Sequence, residues 1–164
     1  PNHQVVDTLP TNARSYTLLC DSTDEYIYVR WVQQSKRQVS VDKSAGGWDL
    51  SRSSWEYVMS YPAPSKTASQ VALRLKVTWA AATYDDTYGI RIRAGDRTLK
   101  TFTTSHLGPV TVFGDGEQWM SMTVSDRSIQ PGETIKVDVY STATFSGGRR
   151  VKRVELTGTW IEDV

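Results

Sequence analysis

Two short stretches of this chain carry side chains that can grip a polyhydroxylated ligand. Tyr84-Asp85-Asp86-Thr87-Tyr88 sets aromatic rings on either side of paired carboxylates. Trp48-Asp49 repeats the pairing within the Gly-rich stretch Ser44–Ser54. An aromatic face stacks on the apolar side of a sugar ring, and a neighbouring carboxylate accepts from its hydroxyls, so both stretches are candidate glycan sites. Trp55 and Trp119 open strand-like segments and can face either a ligand or the core. The nominated binding residues are therefore Trp48, Asp49, Trp55, Tyr84, Asp85, Asp86, Tyr88 and Trp119. The bland alternative is that the acids are turn residues and the rings cap the core edge.

Catalytic chemistry is thinly supplied. The only histidines are His3 and His106, and no Gly-x-Ser-x-Gly elbow, His-Glu-x-x-His pair or phosphate loop occurs. Cys20 with His106 is a conceivable nucleophile pair, against the commoner buried structural thiol. Asp85 or Asp86 with Glu117 is a conceivable glycosidase pair. Asp85, Asp86, Asp115 and Glu117 offer oxygens to a structural calcium, but their spacing matches no calcium loop, so no cofactor is expected. The basic run Arg149-Arg150-Val151-Lys152-Arg153 suits sulfated glycan or phosphate, and its part Arg150-Val151-Lys152-Arg153 resembles a furin-type cleavage sequence. It equally suits a charged strand edge that resists aggregation.

The elements that must position these residues read as strands. Val71-Ala-Leu-Arg-Leu-Lys-Val-Thr-Trp79 alternates without a miss; at about 100° per residue its apolar side chains would scatter round a helix. Trp55–Tyr61, Tyr88–Ala94, Thr98–Thr104, Val110–Phe113, Trp119–Val124, Thr134–Tyr140 and Val154–Trp160 follow as shorter strands. Ser15–Cys20, Tyr26–Val32 and Val39–Val41 precede them, and Tyr26–Val32 is apolar on both faces in places, as a subunit contact would be. Gly95-Asp96 and Pro131-Gly132 are turn signals. Trp31, Trp79 and Trp160 sit in alternating strands and belong to the core. The pattern predicts an all-β fold, a two-sheet antiparallel sandwich of jelly-roll type. Residues 1–14 read as an arm and 15–164 as a single domain, expected to be the C-terminal piece of a longer protein.

From Val71 onward the order of parts resembles the carbohydrate-binding-module and galactose-binding-like jelly rolls. The likeness lies in the long strand ending at Trp79, the hairpin strand Tyr88–Ala94, Gly116-Glu-Gln-Trp119, and the Pro-Gly-Glu turn before a last strand. Phage and viral attachment domains share that architecture. The final strand departs from those modules, with Lys152-Arg153 where an acidic pair is usual, which argues against their calcium.

With 164 residues and a formal charge of +1, the chain can bury a substantial core and shows no bulk attraction for nucleic acid or membrane. One cysteine excludes an internal disulfide framework, whereas six tryptophans and eight tyrosines suit a recognition surface. The function expected first is therefore a non-catalytic, extracellular or virion-surface domain that binds a cell-surface glycan, as a homotrimeric attachment-fibre tip or a carbohydrate-binding module. The alternative is a structural self-assembly domain, such as a capsid, decoration or oligomerisation unit. A glycoside-active enzyme stands third.

Overall fold

The computed structural model describes residues 13–20, 27–33, 36–50, 53–80, 86–105, 116–124, 128–142 and 150–163. These divide between two compact units, residues 1–37 with 163–164, and residues 38–162. In the first, β1 (Ala13–Cys20) pairs antiparallel with β2 (Ile27–Gln33), with a register shift between Ala13 and Ser15.

The second unit is built from β3 (Lys36–Ala45), the two-residue β4 (Trp48–Asp49), β5 (Glu56–Tyr61), β6 (Ala68–Ala80), β7 (Tyr88–Ala94), β8 (Arg97–Thr104), β9 (Gly116–Val124), β10 (Ile135–Ser141) and β11 (Arg150–Asp163). One sheet has the order β5-β10-β7-β8; the other has the order β3-β11-β6-β9, with β4 beside β11. With β4 set aside, the pairs β3·β11, β5·β10, β6·β9 and β7·β8 match first strand to last, second to second-last, and so inward. That is one long hairpin rolled up into two layers, the jelly-roll order.

Alternation explains why these segments form strands. On β6, Val71, Leu73, Leu75, Val77 and Trp79 are buried, while Arg74 is exposed and Ala72, Lys76 and Thr78 are half-buried on the outer face. At its start Ala68 and Val71 are both buried because Gln70, at φ 49°, inserts an extra residue as a bulge. β7 and β10 bury Tyr88, Ile90, Ile92, Ile135, Val137 and Val139 from the opposite layer. Removing this much apolar surface from water is the main stabilising term. Rings bridge the layers: Trp79 lies 5.0 Å from Tyr88, and Trp160 meets Tyr61 edge-on at 5.7 Å.

Turns hold the ends. Glu133 N donates to the Gln130 carbonyl at 3.0 Å across Pro131-Gly132, with Gly132 at φ 86° as a Pro-Gly turn requires. Arg97 fastens this turn to the β7–β8 hairpin by donating to Ser128 O at 2.9 Å and to Glu133 at 2.8 Å.

Each open side of the sandwich is bridged by a lysine. Lys43 of edge strand β3 donates to Ser60 O of edge strand β5 at 2.7 Å, and Lys100 of β8 donates to Ser121 O of β9 at 2.8 Å. Tyr61 adds a 3.3 Å hydrogen bond to Ser40 O.

Several expectations are corrected. The polar connection around Trp48 is partly strand, since β3 runs on to Ala45 and the two-residue β4 pairs with β11. Gly46 is needed there: a Cβ would stand 2.2 Å from the Lys152 carbonyl oxygen. The run Arg150–Arg153 is no sheet edge, because β11 is flanked by β4 and β6. The expected strand Val110–Phe113, and most of the expected arm, lie outside the described residues.

Candidate functional site

Two outer sheet faces carry the chemically interesting side chains. On the four-stranded sheet, Asp138 of β10 points away from the core between Val137 and Val139, yet is only 1% exposed. Its cover is cationic. Arg91, its cross-strand neighbour, donates to Asp138 Oδ2 at 2.7 Å, and Arg93 donates to Oδ1 at 2.9 Å. Such a carboxylate is tolerated because each lost water contact is replaced by a charge-assisted hydrogen bond. The same hydrogen bond is the main reason that the Arg93 guanidinium holds its proton more tightly than usual.

Trp55 lies beside this cluster. Its ring sits over Gly89, where a Cβ would come within 2.8 Å of the indole, so only glycine gives it a floor. Arg91 stands over the Trp55 ring at 4.6 Å and Tyr140 packs at 5.7 Å. The ring is held on its own sheet.

The outer face of the five-stranded sheet is a grid set by strand register. Its successive rows are Arg153–Thr78–Glu117, Glu155–Lys76–Trp119, Thr157–Arg74–Ser121 and Thr159–Ala72–Thr123. Trp119 keeps 40% of its surface exposed, with Arg74 over its ring at 4.0 Å and Lys76 at 4.9 Å. Glu117 pairs with Lys76 at 2.7 Å through one oxygen and accepts from Trp119 Nε1 at 3.2 Å through the other.

The nominated residues do not gather into one site. Tyr88 is 0% exposed and belongs to the core against Trp79, which removes it as a ligand contact. Trp48 packs on the core through β4, and Asp49 is a solvated partner of Arg150 at 3.6 Å. Trp55 is committed to Gly89, Arg91 and Tyr140. Asp86 precedes β7 and is half-buried, where Thr87 is tied to Thr142 by a 2.8 Å hydrogen bond. Tyr84 and Asp85 lie outside the described residues, as do His3, His106, Asp115 and Arg149. Trp119 alone of the nominated rings presents a large exposed face among the described residues. Sequence reasoning missed Arg74, Arg91, Arg93 and Asp138; the outward phase of their strands was the available signal.

Both Glu117 oxygens have partners, Lys76 on one and Trp119 on the other. Among the described residues no group of three or more His, Cys, Asp or Glu is placed to hold a metal ion. Among them, too, no helix is long and apolar enough to cross a membrane.

No protein-family model matches the chain, and no curated protein does. Solved structures similar to it include infectious bursal disease virus, Gx strain, at 9% identity and a TM-score of 0.41, covering 96% of this chain and 41% of that one. A subviral particle of the same virus matches at 10% identity and a TM-score of 0.41, covering 95% of this chain and 41% of that one. The coat protein of tobacco streak virus matches at 14% identity and a TM-score of 0.41, covering 77% of this chain and 85% of that one. This chain thus spans under half the length of the bursal disease virus chains. Overlap this loose transfers no function.

Proposed function

We propose that the jelly-roll unit is a non-catalytic structural domain that works by assembling with copies of itself, as the units of a viral shell do. The observation that carries this reading is where the aromatic rings go. Tyr88 is spent in the core, Trp48 lies against it, and Trp55 is pinned on its own sheet, so none of these three rings offers a platform for a sugar. What the domain offers instead is broad, strand-built, ion-bridged faces on a rigid rolled sandwich. Jelly rolls serve shells and lectins alike, so the strand order is compatible with this reading without deciding it. A virion is the location that it implies, and a closed homo-oligomer the state.

Sedimentation velocity with negative-stain electron microscopy on the full chain tests the proposal. Concentration-dependent growth into closed oligomers or particles is expected. A chain that stays monomeric at every concentration overturns it.

A glycan-recognition reading survives in narrower form because Trp119 is exposed and flanked by cations.

A further inference from the structure

We propose that Arg74 and Trp119 form a recognition site for an acidic sugar, a saccharide bearing a carboxylate or sulfate group. The site adds a binding activity to the assembly role and stands independently of it.

The starting point is the charge pattern on the outer face of the five-stranded sheet. Lys76 bridges Glu117 at 2.7 Å and Glu155 at 3.9 Å, and Arg153 pairs with Glu155 at 3.3 Å. Arg74, in the next row, has no carboxylate partner among the described residues; its contact is the Trp119 ring, 4.0 Å away. Stacking restrains the guanidinium plane without neutralising it, and among the described residues its N–H edges are not taken by a carboxylate, which suits a two-pronged bond to a planar anion. Holding an arginine by an aromatic ring costs the incoming anion less ordering entropy than capturing a free side chain.

The surroundings suit a sugar. Trp119 is 40% exposed with Arg74 over its ring, so a saccharide whose anionic group meets Arg74 would lie against the exposed part of the indole. Thr157 and Ser121 flank Arg74 in its own row, and Thr159 and Thr123 border the next, so hydroxyl groups surround the cation. These side chains rise from paired strands, which hold their spacing.

The same pattern selects against nucleic acid. A polynucleotide needs several phosphates neutralised together, whereas the cations around Arg74 on β6 and β11, Lys76 and Arg153, are already paired with Glu117 and Glu155. One anionic group on a neutral, hydroxylated ring is the better match.

The test is a titration of the full chain labelled with 5-fluorotryptophan, followed by fluorine NMR, with the Trp119 resonance assigned by its loss in Trp119→Phe. The probes are 3′-sialyllactose, lactose 3′-sulfate and plain lactose. One or both acidic sugars should shift the Trp119 resonance with a Kd on the order of 1 mM, as suits a small open site. Which of the two binds more tightly tells carboxylate from sulfate. Lactose and the Arg74→Ala chain should bind about tenfold more weakly, the value of one charge-assisted hydrogen-bond pair, with Arg74→Lys between. Arg74→Ala should keep the wild-type melting temperature, since the side chain is exposed. The proposal falls if neither acidic sugar moves Trp119, if lactose binds equally well, or if Arg74→Ala binds as wild type. It falls too if an oligothymidylate moves Trp119 at lower concentration. None of these outcomes touches the assembly reading, which sedimentation judges.

Discussion

The two outer faces of the sandwich use the same ingredients to opposite ends. On the four-stranded sheet the arginines find a carboxylate: Arg91 and Arg93 close over Asp138, and Trp55 is laid on Gly89 and held by Arg91 and Tyr140. On the five-stranded sheet Arg74 finds no carboxylate among the described residues but stacks on a ring, and that ring stays 40% exposed. An arginine over a tryptophan is therefore not by itself a site or a strut. What decides is whether the cation is already neutralised, because a neutralised guanidinium has little left to offer an incoming anion.

The largest test of this contrast is Asp138→Ala. It leaves Arg91 and Arg93 side by side with only the solvent-exposed Asp96, 3.7 Å from Arg93, as counter-charge, and should lower unfolding stability by about 3 kcal/mol in chemical denaturation. Arg74→Ala on the other face should change it by less than about 0.5 kcal/mol. Equal losses would erase the distinction between the faces.

Gly89→Ala comes next. The new methyl meets the Trp55 ring at 2.8 Å and the Thr103 methyl at 3.2 Å. Lifting the ring should cost about 2 kcal/mol and lengthen the wavelength of tryptophan emission. An unchanged spectrum would mean that Trp55 is not pinned.

A smaller effect follows from Glu133, an acid held by a cation outside either face. The Arg97 hydrogen bond, helped by the Gln130 N–H, keeps the Glu133 carboxyl below its ordinary 4.5 despite partial desolvation. The folded chain therefore protonates Glu133 less readily than the unfolded chain. Its contribution is full above 4.5 and fades as pH falls through the lower folded value. Glu133→Gln should reduce wild-type stability near neutral pH by about 1 kcal/mol and flatten the acid limb of the stability curve. A variant with the same acid limb as wild type would show that the Arg97 clamp contributes nothing.

The smallest expected effect is Trp119→Ala. Exposed cation–π contacts are worth about 0.5–1 kcal/mol, so denaturation should shift by no more than that. A larger loss would make Trp119 a structural ring like Trp55.

The layers were legible in the sequence where alternation was clean. β6, β7 and β10 each bury every second residue, and Trp79 and Trp160 lie in the core as their strands' phase required. β3 was faint because its ten residues include few apolar ones and most stay exposed. β4 was invisible, since two residues carry no period and pair only because β11 lies alongside. The site was less legible than the fold. Tyr88 looked like a rim ring beside two acids, and only the opposing sheet's Trp79 shows why it is buried. Asp138 looked like a wet-face acid, because no local pattern states that strand register brings Arg91 opposite it. Trp119 was ambiguous for the same reason.

The lysine bridges at the two open sides bear on life at high local concentration. A bare strand margin invites a neighbour's backbone to zip alongside, and that is how crowded β-proteins turn into fibres. Here an ammonium group already occupies a carbonyl on each margin, at Ser60 and at Ser121. A strand arriving from another molecule would have to displace these ammonium groups before it could bond at those two carbonyls.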